Sequence, residues 1–124
     1  MLSMKAIGVD IIETERIAHS LTRFGGRFLR RVYTPQELSY CQGRVGSLAA
    51  RWAAKEAVAK ALGTGIGEVS FQEIEVINNN RLCPAIELHG AAHQLAASLG
   101  LTTWAISLSH TKDYAIAFVV AEGD

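Results

Sequence analysis

Residues 47–63 read SLAARWAAKEAVAKALG and predict the central helix of the fold. The segment is rich in alanine, contains no internal glycine or proline, and ends at Gly63, a residue type that favours the position just after a helix. Small or apolar residues lie on nearly all sides of this helix, so we expect it to be largely buried. The rest of the chain is interpreted around it.

Strands flank this helix on both sides along the chain. In residues 71–77, Ile74 and Val76 fall on one face and Glu73 and Glu75 on the other, which predicts a half-exposed strand. Asn78-Asn79-Asn80 favours a turn, after which the chain can pair back. Trp104, Ile106, Leu108 and His110 share a face by alternation. The predicted strands are Ala6–Ile12, Phe71–Ile77, Ala85–Leu88, Trp104–His110 and Tyr114–Ala121, the last two forming a hairpin around Thr111-Lys112-Asp113.

The other helices are predicted from apolar spacing and end signals. Residues 13–29 have helical spacing that Gly25-Gly26 breaks in two. Thr34-Pro35-Gln36-Glu37 is a helix start, with Thr34 as N-cap and Glu37 closing a capping box. Residues 91–99 form a further helix ending at Gly100. This order, a strand, several helices, two strands, a helix and two strands, favours an α+β fold in one domain spanning residues 1–124.

Composition excludes several classes of protein. The 124 residues include 12 Lys plus Arg and 12 Asp plus Glu, so the formal net charge is zero and a generally cationic nucleic-acid binder is not expected. No apolar run approaches a membrane span, and the first ten residues do not resemble a signal peptide, so we expect a cytoplasmic protein with no membrane partner. Cys41 and Cys83 are too far apart in sequence for a zinc knuckle and indicate no disulfide framework.

Asp10 is an acid inside an apolar strand, where an unpaired carboxylate is costly to bury. Two interpretations stay open at this residue. Asp10 either caps the following helix from the end of its strand or binds a cation.

Glu56 and Lys60 lie four residues apart and share one face of the central helix, with Trp52 one turn earlier. One interpretation is a surface ion pair worth a few tenths of a kcal/mol. The apolar surroundings favour another, in which Asp10 and Glu56 bind a hard cation such as Mg²⁺ and Lys60 faces a phosphate oxygen.

Two further segments have both a structural and a phosphate-binding interpretation. Gly63-Thr64-Gly65-Ile66-Gly67 is a helix C-cap with a flexible turn, or a loop whose backbone N–H groups approach phosphate. His110 at a strand end, beside Thr111 and Lys112, is either satisfied by the backbone or binds an anion.

The charge is unevenly distributed. Residues 16–36 contain five arginines and no acid, so this stretch carries +5 and the rest of the chain −5. Phe24 and Phe28 lie among these arginines. A one-sign patch with apolar anchors suits an acidic partner, either nucleic acid or an acidic helical protein on charge alone.

Taken together, these segments resemble the holo-acyl-carrier-protein synthase family of 4′-phosphopantetheinyl transferases, in its short single-domain branch. The likeness extends from near the N-terminus to about Val120. The segments that carry it are Gly8-Val9-Asp10-Ile11 with Arg16-Ile17, Arg51-Trp52-Ala53-Ala54-Lys55-Glu56-Ala57, Lys60-Ala61-Leu62-Gly63-Thr64-Gly65, Pro84, and Ser107-Leu108-Ser109-His110-Thr111.

The resemblance implies a 4′-phosphopantetheinyl transferase-like fold, with a small, mainly antiparallel sheet packed against the long helix. It also implies a Mg²⁺ ion held by Asp10 and Glu56, with Glu56 and Lys60 as the catalytic pair. A third acid found in a larger branch is replaced here by Ile12. Coenzyme A would be held by Arg51, Lys60, Gly63, Thr64, Gly65, Pro84, His110 and Thr111.

The partners are implied in the same way. An acidic acyl carrier protein would dock on Arg16, Arg23 and Phe24, with Arg27 and Phe28 beside them, and the protein would be a homotrimer with sites between subunits. Phosphopantetheine would pass from coenzyme A to a carrier serine in fatty acid biosynthesis, releasing adenosine 3′,5′-bisphosphate. Glu56 and a metal-bound water both stay open as general base. The competing hypotheses are a binding module for RNA or an acidic protein, and a small nucleotide hydrolase.

Overall fold

The computed structural model describes residues 4–78 and 83–123. The predicted Asn79–Asn80 part of the turn lies outside these residues. The elements along the chain are β1 (Met4–Glu13), α1 (Thr14–Phe24), α2 (Gly26–Val32), α3 (Pro35–Cys41), α4 (Val45–Ala61), a 3₁₀ turn (Phe71–Glu73), β2 (Ile74–Asn78), β3 (Pro84–Leu88), α5 (Gly90–Ser98), β4 (Thr103–His110) and β5 (Tyr114–Gly123).

Two antiparallel sheets are present in the described part of the chain. The larger has the strand order β1-β5-β4, and the smaller pairs β2 with β3. In the larger sheet Asp10 is opposite Ala117 and Ile12 is opposite Ala115, which in turn is opposite His110. Strand alternation therefore places Asp10, Ile12 and His110 on the sheet face that packs against α4.

Helix α4 is the centre of the core, as its sequence predicts. Ten of its 17 residues are buried, and it contacts both β1 and β5. Its alanines permit this, because small side chains let a helix lie close to a sheet on more than one side. The buried residues Leu48, Ala53, Ala57 and Val58 belong to the same core as Val119 and Ala121 of β5.

The predicted helix signals near the N-terminus are confirmed. Gly25, with φ of 54°, separates α1 from α2 at the predicted break. The capping box at α3 is present: the Glu37 N–H donates to Thr34 Oγ1 (3.2 Å), and the Thr34 N–H donates to Glu37 Oε1 (2.9 Å).

The strand predicted over residues 71–77 is wrong in two respects. Its first three residues form a 3₁₀ turn, and Glu75 is buried instead of exposed. Thr34 Oγ1 donates to Glu75 Oε2 (2.5 Å), and His89 Nε2 lies 3.0 Å from Glu75 Oε1. Strand alternation identifies the two faces of a strand but does not tell whether both are covered, and here the second face packs against the start of α3.

Candidate active site

Gly8 lets β1 approach α4 closely enough to bring Asp10 to the helix. A Cβ atom on Gly8 would lie 1.8 Å from the carbonyl oxygen of Ala57, so no other residue fits without moving the backbone. Asp10 follows two residues later on the same face of the strand. Its side chain is 16% exposed at the edge of this contact.

Lys60 forms an ion pair with Asp10. Its Nζ lies 2.8 Å from Asp10 Oδ1 and donates to the carbonyl oxygen of Val9 at 3.0 Å. The acid that this lysine contacts is therefore not Glu56, its neighbour one turn earlier, but an acid 50 residues away in sequence. The lysine side chain is 52% exposed, so it can change partners at little cost.

Glu56 completes this cluster. Partial burial raises the pKa of Glu56 above its ordinary value, the negative charge of Asp10 raises it further, and Lys60 acts in the opposite direction. The two carboxylates are therefore close enough for their charges to interact, as two ligands of one cation must be. Two repelling oxygen donors beside an exposed lysine suit a hard divalent ion, which takes carboxylate and phosphate oxygens. Position 12, between these acids and α1, is a buried isoleucine.

Four of the five residues predicted to bind a carrier protein, all but Arg23, line two grooves that meet at Trp52. One groove, of about 460 Å³, includes Arg16. The other, of about 660 Å³, includes Phe24, Arg27 and Phe28. The Arg23 guanidinium stacks on the Phe24 ring, at 5.4 Å from its centre. Trp52 lies one turn before Glu56 on the same side of α4, so these grooves open beside the acidic cluster.

Trp52 received no role from the sequence, although its helical phase relative to Glu56 was visible there. The structure packs its ring between those of Phe28 and Phe71, with centroids 6.1 and 4.5 Å away. It thus lines the larger groove together with three arginines, Arg27, Arg30 and Arg31. The signal that could have found it is an aromatic residue on the charged face of an otherwise alanine-rich helix.

His110 and Thr111 lie at the other end of α4. The His110 ring packs on Gly46, where an added Cβ would come within 2.8 Å of it. Arg44 occupies the N-cap position of α4, but its guanidinium donates to the carbonyl oxygen of Tyr40 (2.6 Å) instead of capping the helix. The first two residues of α4, Val45 and Gly46, line one cleft with His110 and Thr111, so a helix start without a side-chain cap lies beside these two residues.

Arg51 projects from a different side of α4 than Glu56, about 140° around the helix. Its guanidinium stacks on Tyr40 at 4.1 Å, and Nη2 is 3.4 Å from Asn78 Oδ1. Asn78 pairs with Pro84, so Arg51 and Pro84 belong to one neighbourhood. Within the described residues, the buried Nε of Arg51 has no hydrogen-bond partner.

The glycine-rich loop follows α4 directly. Gly63 and Gly65 have φ of 82° and 69°, values that favour glycine, and the N–H groups of Thr64 and Gly65 both donate to the Ala59 carbonyl oxygen (3.2 Å). These bonds make the loop a helix C-cap. The predicted site residues thus form an acidic cluster with this loop at one end of α4, and two separate basic neighbourhoods around Arg51 and His110.

A buried ion pair was not predicted. Lys55 Nζ lies 2.8 Å from Glu37 Oε1, and both side chains are fully buried. Burial lowers the pKa of Lys55, while the Glu37 charge opposes that change. In the described part of the chain, Glu75, Glu87 and His89 also bring ligand-type atoms within 4.8 Å of one another. This group is apart from the predicted metal ligands.

Comparison with known proteins assigns the family. The model of the 4′-phosphopantetheinyl transferase superfamily matches residues 6–119, so the chain belongs to this superfamily. A holo-[acyl-carrier-protein] synthase of Herpetosiphon aurantiacus is 52% identical over 127 residues, covering 97% of this chain and 100% of that protein. The resemblance drawn from the sequence is confirmed, and with it the assignment as a phosphopantetheinyl transferase enzyme.

Solved structures agree with this family and fold. The Helicobacter pylori holo-[acyl-carrier-protein] synthase in complex with coenzyme A is similar, with a TM-score of 0.85 and 35% identity over 93% of this chain and 98% of that one. The Chronobacterium ammoniagenes complex with coenzyme A gives 0.84 and 35% over 98% of each chain. The α+β fold class is confirmed. No helix in residues 4–78 or 83–123 is long and apolar enough to cross a membrane.

Proposed function

We propose that this protein transfers 4′-phosphopantetheine from coenzyme A to a serine of an apo acyl carrier protein, in a Mg²⁺-dependent reaction that releases adenosine 3′,5′-bisphosphate. The observation that carries the proposal is the meeting of Asp10, Glu56 and Lys60 on one side of α4. Relatives named holo-[acyl-carrier-protein] synthase, two of them with coenzyme A, support the donor and the acceptor. The proposed setting is fatty acid biosynthesis in the cytoplasm. We propose that a single domain carries the activity.

Asp10 and Glu56 are the proposed Mg²⁺ ligands. They supply two carboxylates, as many as Mg²⁺ commonly takes from a protein when waters and substrate phosphates complete its shell. When bound, Mg²⁺ would supply charge neutralisation at the diphosphate of coenzyme A. Burial, and after it the negative charge of Asp10, raises the pKa of Glu56, and the repulsion between the two carboxylates supports a cation at this place.

Lys60 is the proposed charge-neutralising residue for the reacting phosphate. In the structure it holds Asp10 Oδ1 and the Val9 carbonyl oxygen from a half-exposed position. A cation bound to Asp10 would compete with Lys60 for the carboxylate, and the lysine would then be available to a phosphate oxygen. Lys60 would thus bind Asp10 Oδ1 until the cation and the substrate replace it.

We propose that the remaining contacts with coenzyme A come from Arg51, Pro84, His110 and Thr111. Gly63, Thr64 and Gly65 would line the region of its diphosphate. The uncapped start of α4 beside His110 favours an anion. The buried Arg51 Nε that lacks a partner among the described atoms also favours one. Arg51 and Glu56 point away from each other on α4, which supports a coenzyme A site completed by two subunits.

A homotrimer is proposed from the family resemblance and from an exposed apolar surface. The face of the larger sheet that is turned away from α4 carries exposed large apolar residues: Ile7, Val9, Ile11, Tyr114, Ile116 and Phe118. Ile7 and Ile11 are 63% and 61% exposed. An apolar patch of this extent on a sheet is typical of a subunit interface. Copies of this chain packed through these faces would bury it.

The carrier protein is proposed to dock on α1 and α2. Arg16, Arg23 and Arg27 supply positive charge, while Phe24 and Phe28 supply apolar contacts along the two grooves. An acidic helix placed there would present its serine beside Trp52 and Glu56. The charge of this surface, not shape alone, would select the partner.

The reaction then requires positioning and charge stabilisation. The serine hydroxyl attacks the β-phosphate of coenzyme A, and the bond to the bridging oxygen of adenosine 3′,5′-bisphosphate breaks in line. Lys60 stabilises charge on the phosphate oxygens. Glu56 is one candidate to accept the serine proton, and a metal-bound water is the other.

The test is the mass of the carrier protein. Apo acyl carrier protein incubated with coenzyme A, Mg²⁺ and this protein is expected to gain the mass of one phosphopantetheine. Glu56→Gln should abolish the gain while the fold is kept, and Glu122→Gln, the same change at an exposed strand residue, should not. No gain with folded wild-type protein would defeat the proposal. Nucleotide release from coenzyme A without carrier protein would indicate a hydrolase instead.

A further inference from the structure

The turn between β4 and β5 carries two of the residues proposed to hold coenzyme A. His110 ends β4 and Thr111 opens the turn. Thr111 stabilises the turn locally: its N–H donates to the Tyr114 carbonyl oxygen (2.8 Å), and its Oγ1 accepts from the N–H groups of Asp113 (3.3 Å) and Tyr114 (3.2 Å). These bonds shape the turn but do not fix it to the rest of the molecule.

β4 is an edge strand of the larger sheet, so its end is paired on one side only. His110 contacts Gly46 at the start of α4, which limits the ring from one direction. The turn joins β4 to the central strand β5, whose first residue Tyr114 is opposite Glu13 of β1, so the sheet holds the β5 side of the turn but not the side of Thr111 and Lys112. Something beyond the strands must hold it if it is to present a phosphate site.

Thr14, the first residue of α1, makes that connection. Its Oγ1 donates to the Lys112 carbonyl oxygen at 2.7 Å, and its N–H donates to the Asp113 carbonyl oxygen at 2.9 Å. The residue is 8% exposed and is 98 positions away from Lys112 in the chain. Two consecutive turn carbonyls are thus held by one residue, which also borders the cleft containing His110 and Thr111.

We propose that Thr14 is a positioning residue for coenzyme A, ordering the turn so that His110 and Thr111 are held ready for a phosphate. The inference rests on the proposed function, because it assumes that these two residues contact coenzyme A. Without the hydroxyl, the Lys112 carbonyl loses its donor and the turn gains freedom. Coenzyme A then has to order the turn as it binds, which weakens affinity.

The experiment separates donor from acceptor kinetics in Thr14→Val, which keeps the shape and removes the hydroxyl. We expect the dissociation constant and KM for coenzyme A to rise about 3- to 10-fold, the size of one net hydrogen bond. The KM for the carrier protein and kcat at saturating coenzyme A should stay within about twofold, because α1 keeps its backbone bond to the turn. Thr14→Ser, which keeps the donor, should restore coenzyme A binding.

Thr103→Val is the matched control. Its hydroxyl, on β4, donates to the Glu122 carbonyl oxygen of β5 at 3.2 Å. This bond lies at the end of β4 and β5 that is far from the turn. It should leave both KM values unchanged. If the valine variant does not fold, Thr14→Ala removes the same hydroxyl without a branched side chain, and calorimetric titration of coenzyme A gives the affinity directly.

The outcomes are distinct. An unchanged coenzyme A affinity in a folded Thr14→Val or Thr14→Ala protein would overturn the inference, as would equal changes in both KM values or no recovery with serine. Wild-type protein that modifies no carrier protein would instead contradict the proposed function, and calorimetric titration of coenzyme A would still compare the affinities of wild type and the Thr14 variants. A selective loss of coenzyme A affinity that serine restores supports the role of Thr14.

Discussion

Helix α4 carries two lysines that form ion pairs of the same length but in opposite surroundings. Lys55 Nζ and Lys60 Nζ each lie 2.8 Å from a carboxylate oxygen, of Glu37 and Asp10 respectively. Both members of the first pair are fully buried, whereas the Lys60 side chain is 52% exposed. Distance alone therefore does not distinguish a structural lysine from one that is available to a substrate.

The contacts around each lysine explain the difference. The Lys55 ammonium also donates to the carbonyl oxygens of Phe71 (2.9 Å) and Ile74 (2.6 Å), so its three donors are all used inside the protein. Lys60 has its two partners on β1 and one side open to solvent. The buried lysine links α4 to α3 and β2, while the exposed one can exchange its carboxylate for a phosphate.

Replacing the buried lysine should have the largest effect on folding. Lys55→Met leaves Glu37 buried without its cation and removes one donor each from the Phe71 and Ile74 carbonyls, so we expect a loss of about 3–5 kcal/mol in the free energy of unfolding. Urea titration measures it. The double variant Lys55→Met/Glu37→Gln should recover part of the loss, since no unpaired charge is then buried. Equal stability of single and double variants would contradict this account.

The same substitution at the exposed lysine should separate activity from stability. Lys60→Met is expected to lower kcat for carrier modification about 100-fold, equivalent to about 2.7 kcal/mol of transition-state stabilisation. Its free energy of unfolding should change by less than about 1 kcal/mol, because the half-exposed lysine leaves its end of the pair open to water. A loss of activity matched by a comparable loss of stability would make Lys60 another structural lysine, and the contrast between the two pairs would fail.

The sequence predicts one side of this contrast better than the other. The helix, its buried character and the shared face of Glu56 and Lys60 follow from alanine content and helical periodicity. That Asp10 belongs beside them follows from the cost of an acid in an apolar strand and from the family resemblance. The actual partner of Lys60 depends on the close approach of β1 at Gly8, which no local pattern contains.

The buried pair of Lys55 and Glu37 shows why other contacts of the fold could not be predicted from the sequence. Glu37 was recognised as part of a capping box, which uses one of its oxygens locally. The same side chain also receives the Val76 N–H (2.8 Å) and Lys55, which are 39 and 18 residues away. Likewise, Glu75 was placed in solvent because strand alternation carries no information on what covers the outer face. Both errors concern acids that hold tertiary contacts.

The surroundings of the buried Lys55 can be tested at alkaline pH through its neighbour Tyr33. Burial, with the nearby charges of Cys41 and Glu37, raises the pKa of Tyr33 above its ordinary value, and its hydroxyl donates to the Leu48 carbonyl oxygen (2.7 Å). The folded state thus keeps a proton that the unfolded chain loses near pH 10. The stability contribution is complete below that pH and falls by about 1.4 kcal/mol per unit above it.

Tyr33→Phe isolates this contribution, because Lys55 and Cys41 titrate in both proteins. The variant should be less stable than wild type at neutral pH, through the lost hydrogen bond, but its stability should fall less steeply above pH 10. Urea titrations at several alkaline pH values measure the slopes. Parallel slopes in the two proteins would show that Tyr33 ionises without unfolding.

Salt should produce the smallest effect and the sharpest separation of the two pairs. Solvated charges are screened over about 8 Å at physiological ionic strength and about 3 Å at 1 M, while a pair with no solvent contact is screened much less. The cost of Lys60→Met, below about 1 kcal/mol, should therefore shrink as NaCl rises. The larger cost of Lys55→Met should stay nearly constant. Urea titration of wild type and both variants across this range gives the two dependences, and a similar salt response at Lys55 would mean that water reaches the Glu37 pair.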